Sequence, residues 1–144
     1  MLTRQKSRKL QRGAAAVEFA LVVPVLIILV FGITDFGLMF NNQAVVANAS
    51  RDAARAASFG ANKAAIQAVV TTEVASLPNV VFPVTTNVTC TKVNGTNCVT
   101  YDTDAVSGGT VTVTITYIHK WLTPSLIGLP NTLTVTKTSQ MRIE

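Results

Sequence analysis

Charge and chemistry-bearing side chains are scarce in this sequence. Only 13% of its 144 residues are Asp, Glu, Lys or Arg, where a soluble domain carries nearer a quarter. There is one histidine, His119, one tryptophan, Trp121, and two cysteines, Cys90 and Cys98. A structural zinc site normally takes four ligands, so two cysteines and one distant histidine are too few. The cysteines are also too far apart for the Cys-x-x-Cys spacing of a redox pair. No Gly-x-Ser-x-Gly elbow, phosphate-binding loop or paired-His motif occurs. Asp102 and Asp104 are close together, but they precede Ser107-Gly108-Gly109 and read as a solvated loop. The expectation is a chain that is not an enzyme and holds no metal or cofactor.

What the sequence has in quantity is apolar surface. Hydrophobic residues make up 49% of the chain and the mean hydropathy is +0.41. The length suits one modest domain, so either one segment is very apolar or the whole surface is. Charge placement points to the first. Of the twelve basic residues, Arg4, Lys6, Arg8, Lys9 and Arg12 precede residue 14 with no acid among them, and the other seven balance seven acids. The net charge of +5 therefore lies in the leader. Nucleic-acid binding needs Lys and Arg clustered on a folded face, and the neutral body of this chain has no such cluster.

The apolar segment follows directly. Phe19 to Ile33 is interrupted only by Pro24 and Gly32. As a helix, residues 14–34 would span about 31 Å at ~1.5 Å per residue, matching a hydrocarbon core of about 30 Å. Basic residues on one side alone predict a single pass with the N-terminus cytoplasmic and the C-terminal domain outside. A cleaved secretory signal would have a shorter apolar region and a small-residue site after it; here the helical pattern simply continues through Asp35-Phe36-Gly37-Leu38-Met39-Phe40. A plain signal anchor would explain the span and the charge bias. It would not explain Glu18, an ionisable residue at the edge of an apolar run.

Gly13-Ala14-Ala15-Ala16-Val17-Glu18-Phe19 resembles the processing site of type IV prepilins, where a membrane peptidase cuts after the glycine and glutamate is the fifth mature residue. Together with Pro24, Gly32, Asp35, Gly37, the Arg51–Ala57 stretch, Tyr117, Trp121-Leu122-Thr123-Pro124 and the Thr-rich end, it resembles the TadE-like proteins, pseudopilins of the tight-adherence (Tad/Flp) pilus system. Phe19 stands where the major Flp pilins usually have tyrosine, and residues 78–108 match no pattern of that family. The resemblance implies a minor pilin of the bacterial inner membrane, processed between Gly13 and Ala14 and used in surface adhesion. Its partners would be a prepilin peptidase, other pilin and pseudopilin subunits, and the pilus assembly machinery. Cleavage would free an α-amine on Ala14, with a pKa of about 8, for pairing with Glu18 of its own chain or a neighbour. Glu18 could instead reach the headgroups unpaired. Pro24 would kink or loosen the helix. An uncleaved, membrane-anchored interaction domain shares all but the processing.

The organisation expected is α+β and pilin-like. A basic leader (1–13) leads to a membrane-spanning helix (14–34) and its extramembrane continuation (35–60). Residues 61–144 should then form a second helix and an antiparallel sheet of three or four strands. The helix pattern runs through Phe36, Phe40, Ala44, Ala47, Ala54 and Ala57 as one face, with Arg51, Asp52 and Arg55 solvated. Gly60 ends that helix. Asn62 caps a second, from about Lys63 to Ser76, with Ile66, Val69, Val70, Glu73, Val74 and Leu77 along one side, Glu73 at its edge, and Pro78 beyond it. Val111, Val113, Ile115 and Tyr117 alternate with threonines, as do Leu133 and Val135, giving strands with one buried and one wet face. Cys90 and Cys98 fall symmetrically about Asn94. A three-residue hairpin loop, Val93-Asn94-Gly95 with Gly95 left-handed, would place them opposite each other. In an oxidising compartment they would form a disulfide.

Overall fold

The computed structural model describes residues 4–75, 77–78, 80–122 and 130–144, with the backbone alone described for 4–12 and 80–83. The order is α1 (Arg4–Ser58), α2 (Lys63–Val74), β1 (Val80–Thr91), α3 (Tyr101–Asp104), β2 (Thr110–Lys120) and β3 (Thr132–Arg142). The three strands form an antiparallel sheet in the order β1-β2-β3. This is the expected α+β arrangement, with three strands among the described residues.

α1 has 55 residues and runs unbroken through Pro24, a length of about 80 Å. No break separates residues 4–13 from the span, so the leader and both later segments are one helix. It stops at Ser58 because Gly60 turns the chain with φ +83°, a conformation that costs glycine little. Gly60 N–H then donates to Ala57 O and Ala61 N–H to Ala56 O, both at 3.1 Å, a Schellman closure of the helix end. Two residues on, Asn62 Oδ1 accepts from Ala65 N–H at 2.8 Å and starts α2, as the sequence predicts. Ile66, Val70, Val74 and Leu77 are buried, whereas Glu73 is exposed. α2 ends at Val74; Ser76, the expected end, lies outside the described residues.

The outer half of α1 and α2 form one layer and the inner face of the sheet the other. Val111, Val113, Ile115 and Tyr117 of the central strand are buried to 1% or less, so the period-two reading of β2 holds. On the edge strand it holds only weakly, since Leu133 is exposed and Val135 half-buried. An edge strand has a neighbour on one side only, and α1 covers its inner face incompletely. β1 changes register between Val81 and Thr85, around Pro83, which has no N–H for the ladder.

Near the apolar run the face of α1 that packs differs from the expected one, and farther out the two meet. Of the expected stripe Ala54 and Ala57 are buried, Ala47 is half-buried, and Phe36, Phe40 and Ala44 are exposed; Asp35, Met39, Asn42, Val46, Ala49 and Ala53 are buried beside it. The two stripes lie about one residue, or 100°, apart on the helix. Only between residues 36 and 44 does the expected stripe fail to pack. The sheet accepts the stripe whose side chains are small or can hydrogen-bond to it. Arg51, Asp52 and Arg55 are exposed as expected. Asp102 and Asp104 depart from the loop reading, because they belong to the one-turn helix α3. Asp102 Oδ1 accepts from Lys63 N–H at 2.7 Å, capping α2 from another part of the chain.

Cys90 and Cys98 are joined in a disulfide with a Cα–Cα distance of 5.3 Å. The hairpin has the expected form. Lys92 N–H donates to Thr96 O and Cys98 N–H to Cys90 O, both at 2.8 Å, and Gly95 has φ +83°. Lys92 Nζ also meets Asp104 Oδ1 at 3.0 Å, and Asp104 Oδ2 accepts from Val99 N–H at 2.8 Å and Thr100 N–H at 3.2 Å. The Lys92 bond and these two backbone donors hold the Asp104 carboxyl below its usual pKa. A loop this short limits what the crosslink can contribute. Replacing both cysteines by serine is expected to cost about 2 kcal/mol, read as a lower urea midpoint of the full chain in detergent.

Candidate functional site: the N-terminal helix and its junction with the sheet

Two stretches of α1 carry the candidate residues. The first runs from Gly13 to Phe19. Every residue in it is exposed, including Gly13, Ala14 and Glu18. A Cβ added at Gly13 would meet nothing within 4 Å. Packing within the chain therefore does not require glycine there, although glycine inside a helix costs about 1 kcal/mol against alanine. Ala14 and Glu18 are four residues apart, so they share a face one turn apart. Glu18 stands between exposed Val17 and Phe19.

From there to Thr34 the helix is apolar and largely uncovered. Its most apolar window has a mean hydropathy of 2.8 and none of it is buried. The helix is long and apolar enough to cross a membrane. Its hydroxyl at Thr34 donates to Val30 O at 3.0 Å, so this polar group is satisfied within the helix. Pro24 contributes no N–H, which leaves Ala20 O without its usual intrahelical donor, yet the helix continues on both sides.

The second stretch joins α1 to the sheet through polar side chains. Asp35 is 2% exposed and its Oδ1 and Oδ2 accept from Leu122 N–H at 3.0 and 3.2 Å. Asn42 Nδ2 donates to Pro78 O at 2.8 Å and lies 3.3 Å from His119 Nδ1. Farther out, Gln43 Oε1 accepts from Lys137 Nζ at 3.3 Å, and the Ser50 and Ser139 hydroxyls are 2.8 Å apart. Glu144 N–H reaches Ser58 O at 3.0 Å. These contacts fix the sheet along the helix, with the β2 end and Trp121 nearest the apolar span. Trp121 makes edge-on ring contacts with Phe36 at 5.5 Å and His119 at 5.0 Å. The Leu122-Thr123-Pro124 turn expected from the sequence lies, beyond Leu122, outside the described residues.

His119 is fully buried. With Asn42 donating to Nδ1, the neutral ring carries its proton on Nε2, which has no partner among the described residues. Burial lowers the His119 pKa, against a smaller opposing pull from the Asp35 carboxylate. The unfolded chain binds a proton at about 6.5 that the folded chain resists. Stability is therefore complete above that pH and falls as the solution is acidified below it. The urea midpoint should drop between about pH 7 and pH 5, and His119→Gln should flatten that dependence. Asp35 was among the sequence candidates, but its role was not. Asn42 was missed. The available signal was their seven-residue spacing on one helix face beside an apolar stripe.

No group of three or more His, Cys, Asp or Glu residues that could hold a metal occurs among the described residues. No curated protein and no solved structure matches the chain. Residues 13–55 match the model of the family described as TadE-like protein. The match covers the glycine, the glutamate, the apolar run and most of the helix face that seats the sheet. Over this helix, from Gly13 to Arg55, the chain is similar to the TadE-like proteins.

Proposed function

We propose that this chain is a minor pilin or pseudopilin of a Tad/Flp-type pilus. It crosses the bacterial inner membrane once, is cut after Gly13 by a prepilin peptidase, and joins the pilus or its base during surface adhesion. It acts by assembly with other pilin subunits and catalyses nothing. The observation that carries this reading is Gly13. The fold has no packing use for a glycine there, and the TadE-like match begins at that residue. A peptidase that must approach the backbone supplies the missing reason. Gly32 and Gly37 are equally open, and small residues in an apolar helix allow a neighbouring helix close approach. Removing residues 1–13 takes away five positive charges. It also leaves a cationic amine one turn from Glu18, where the pair neutralises a carboxylate that is costly at the bilayer edge. Pairing to a neighbour would fix axial register between subunits.

N-terminal sequencing of the protein from surface-grown cells tests the cut. A mature chain beginning at Ala14 is expected. A chain that keeps residues 1–13 in cells with working pili would overturn processing and leave an anchored interaction domain. Glu18→Ala is expected to be inserted and cut normally but lost from assembled material, measured by blotting sheared surface fractions. Normal incorporation of the variant would remove Glu18 from the assembly step.

A further inference from the structure

We propose that the membrane-proximal rim of the sheet domain is a lipid-contact surface, seated in the headgroup layer of the bilayer that α1 crosses. This rests on reading α1 as a span and does not depend on cleavage or assembly. The depth follows from the contacts. If the hydrocarbon core ends at Thr34, Phe36 lies only about 3 Å beyond it. The Asp35–Leu122 hydrogen bonds and the Phe36–Trp121 ring contact hold Trp121 and Leu122 level with residues 35 and 36. The interfacial layer is roughly 5–7 Å thick on each side. The end of β2 therefore falls inside it without any bending of the helix.

The side chains exposed at this end suit that layer. Leu122 is 54% exposed and Phe36 54%, next to half-buried Trp121. Leu133, opposite His119 in the ladder, is also exposed. The outer face of β2 carries Thr112, Thr114 and Thr116 and then changes to exposed Ile118 at the membrane end. Lys120, the next residue on that face, is exposed and can hold its charge among phosphates while its stem lies on apolar surface. The carboxylate at this level, Asp35, is turned inward onto Leu122 N–H, so the rim does not present it to lipid. An aromatic side chain flanked by aliphatic ones and a lysine is the composition that anchors proteins at a bilayer surface. The apolar surface is also continuous with the bare face of the span, since Phe36 belongs to both.

Trp121 is the sole tryptophan, so the full-length chain carries its own probe. The protein is placed at one copy per lipid nanodisc, and its fluorescence is quenched by headgroup-nitroxide lipid, by acyl-end nitroxide lipid and by aqueous iodide. The headgroup nitroxide is expected to quench most and iodide least. Leu122→Glu, and separately Leu133→Glu, should lose much of the nitroxide quenching and gain iodide quenching, with the disulfide and far-ultraviolet dichroism unchanged. Wild-type quenching by iodide as strong as in both variants would overturn the proposal. So would strongest quenching by the acyl-end label. Trp121 that is open to iodide at one copy per disc, and shielded only when copies are crowded, would make the rim a subunit interface and also overturn it.

Discussion

Tyr117→Ala is expected to cost about 3–5 kcal/mol of folding stability, whereas Tyr117→Phe is expected to cost nothing or to stabilise. Tyr117 sits on the central strand, 1% exposed, and is among the largest fully buried side chains. Truncation removes a whole ring from the helix–sheet layer and leaves a cavity that α1 and β3 cannot both close. The hydroxyl contributes in the opposite direction. It is buried with no hydrogen-bond partner among the described residues, and burial raises its pKa. A buried hydroxyl without a partner costs free energy, so deleting it relieves a penalty. Urea unfolding of full-length protein in detergent measures both. Destabilisation by Tyr117→Phe of more than about 1 kcal/mol would mean that the hydroxyl has a partner.

Ala53→Phe is expected to cost about 3 kcal/mol or more, and Ala44→Phe close to nothing. Both are alanines of the same helix, nine positions apart. Ala53 is fully buried within the core, with Ala49 and Ala57 one turn away on the same face. The small side chains let α1 lie close to β2 and β3, and the Ser50–Ser139 contact at 2.8 Å records how close. A phenyl ring there must push the helix off the sheet. Ala44 is exposed and can take a ring into solvent. The comparison is made by unfolding in the same detergent. Similar losses at the two sites would mean that the helix packs through the Phe36–Ala44 stripe after all.

These two predictions mark where local reading stopped. The stripe through Phe36 and Phe40 follows from helical spacing of apolar residues, and spacing alone does not say which stripe a partner covers. Beside the bare apolar helix that stripe fails to pack: Phe36 and Phe40 are exposed, and the packed face takes Asp35 and Asn42 beside Met39. Asp35, Asn42 and His119 read as isolated polar residues in the sequence. They join only because β2 runs back toward the membrane beside α1. Residues seventy-seven positions apart, Asn42 and His119, are brought to 3.3 Å.

What the sequence determined by itself is whatever neighbouring residues decide. The charge bias and the length of the apolar run specify one span-length helix. Gly60 and Asn62 end one helix and start the next through backbone geometry and a local cap. Alternation in β2 fixes its buried face, and Asn94-Gly95 closes the hairpin that brings Cys90 to Cys98. The tertiary structure alone decided which stripe of α1 is buried, because a helix offers several stripes and the sheet selects the one that fits. It also decided that Asp102 caps α2 and that the β2 end sits beside Asp35 and Phe36. Each depends on contacts across many tens of residues, where no local preference acts.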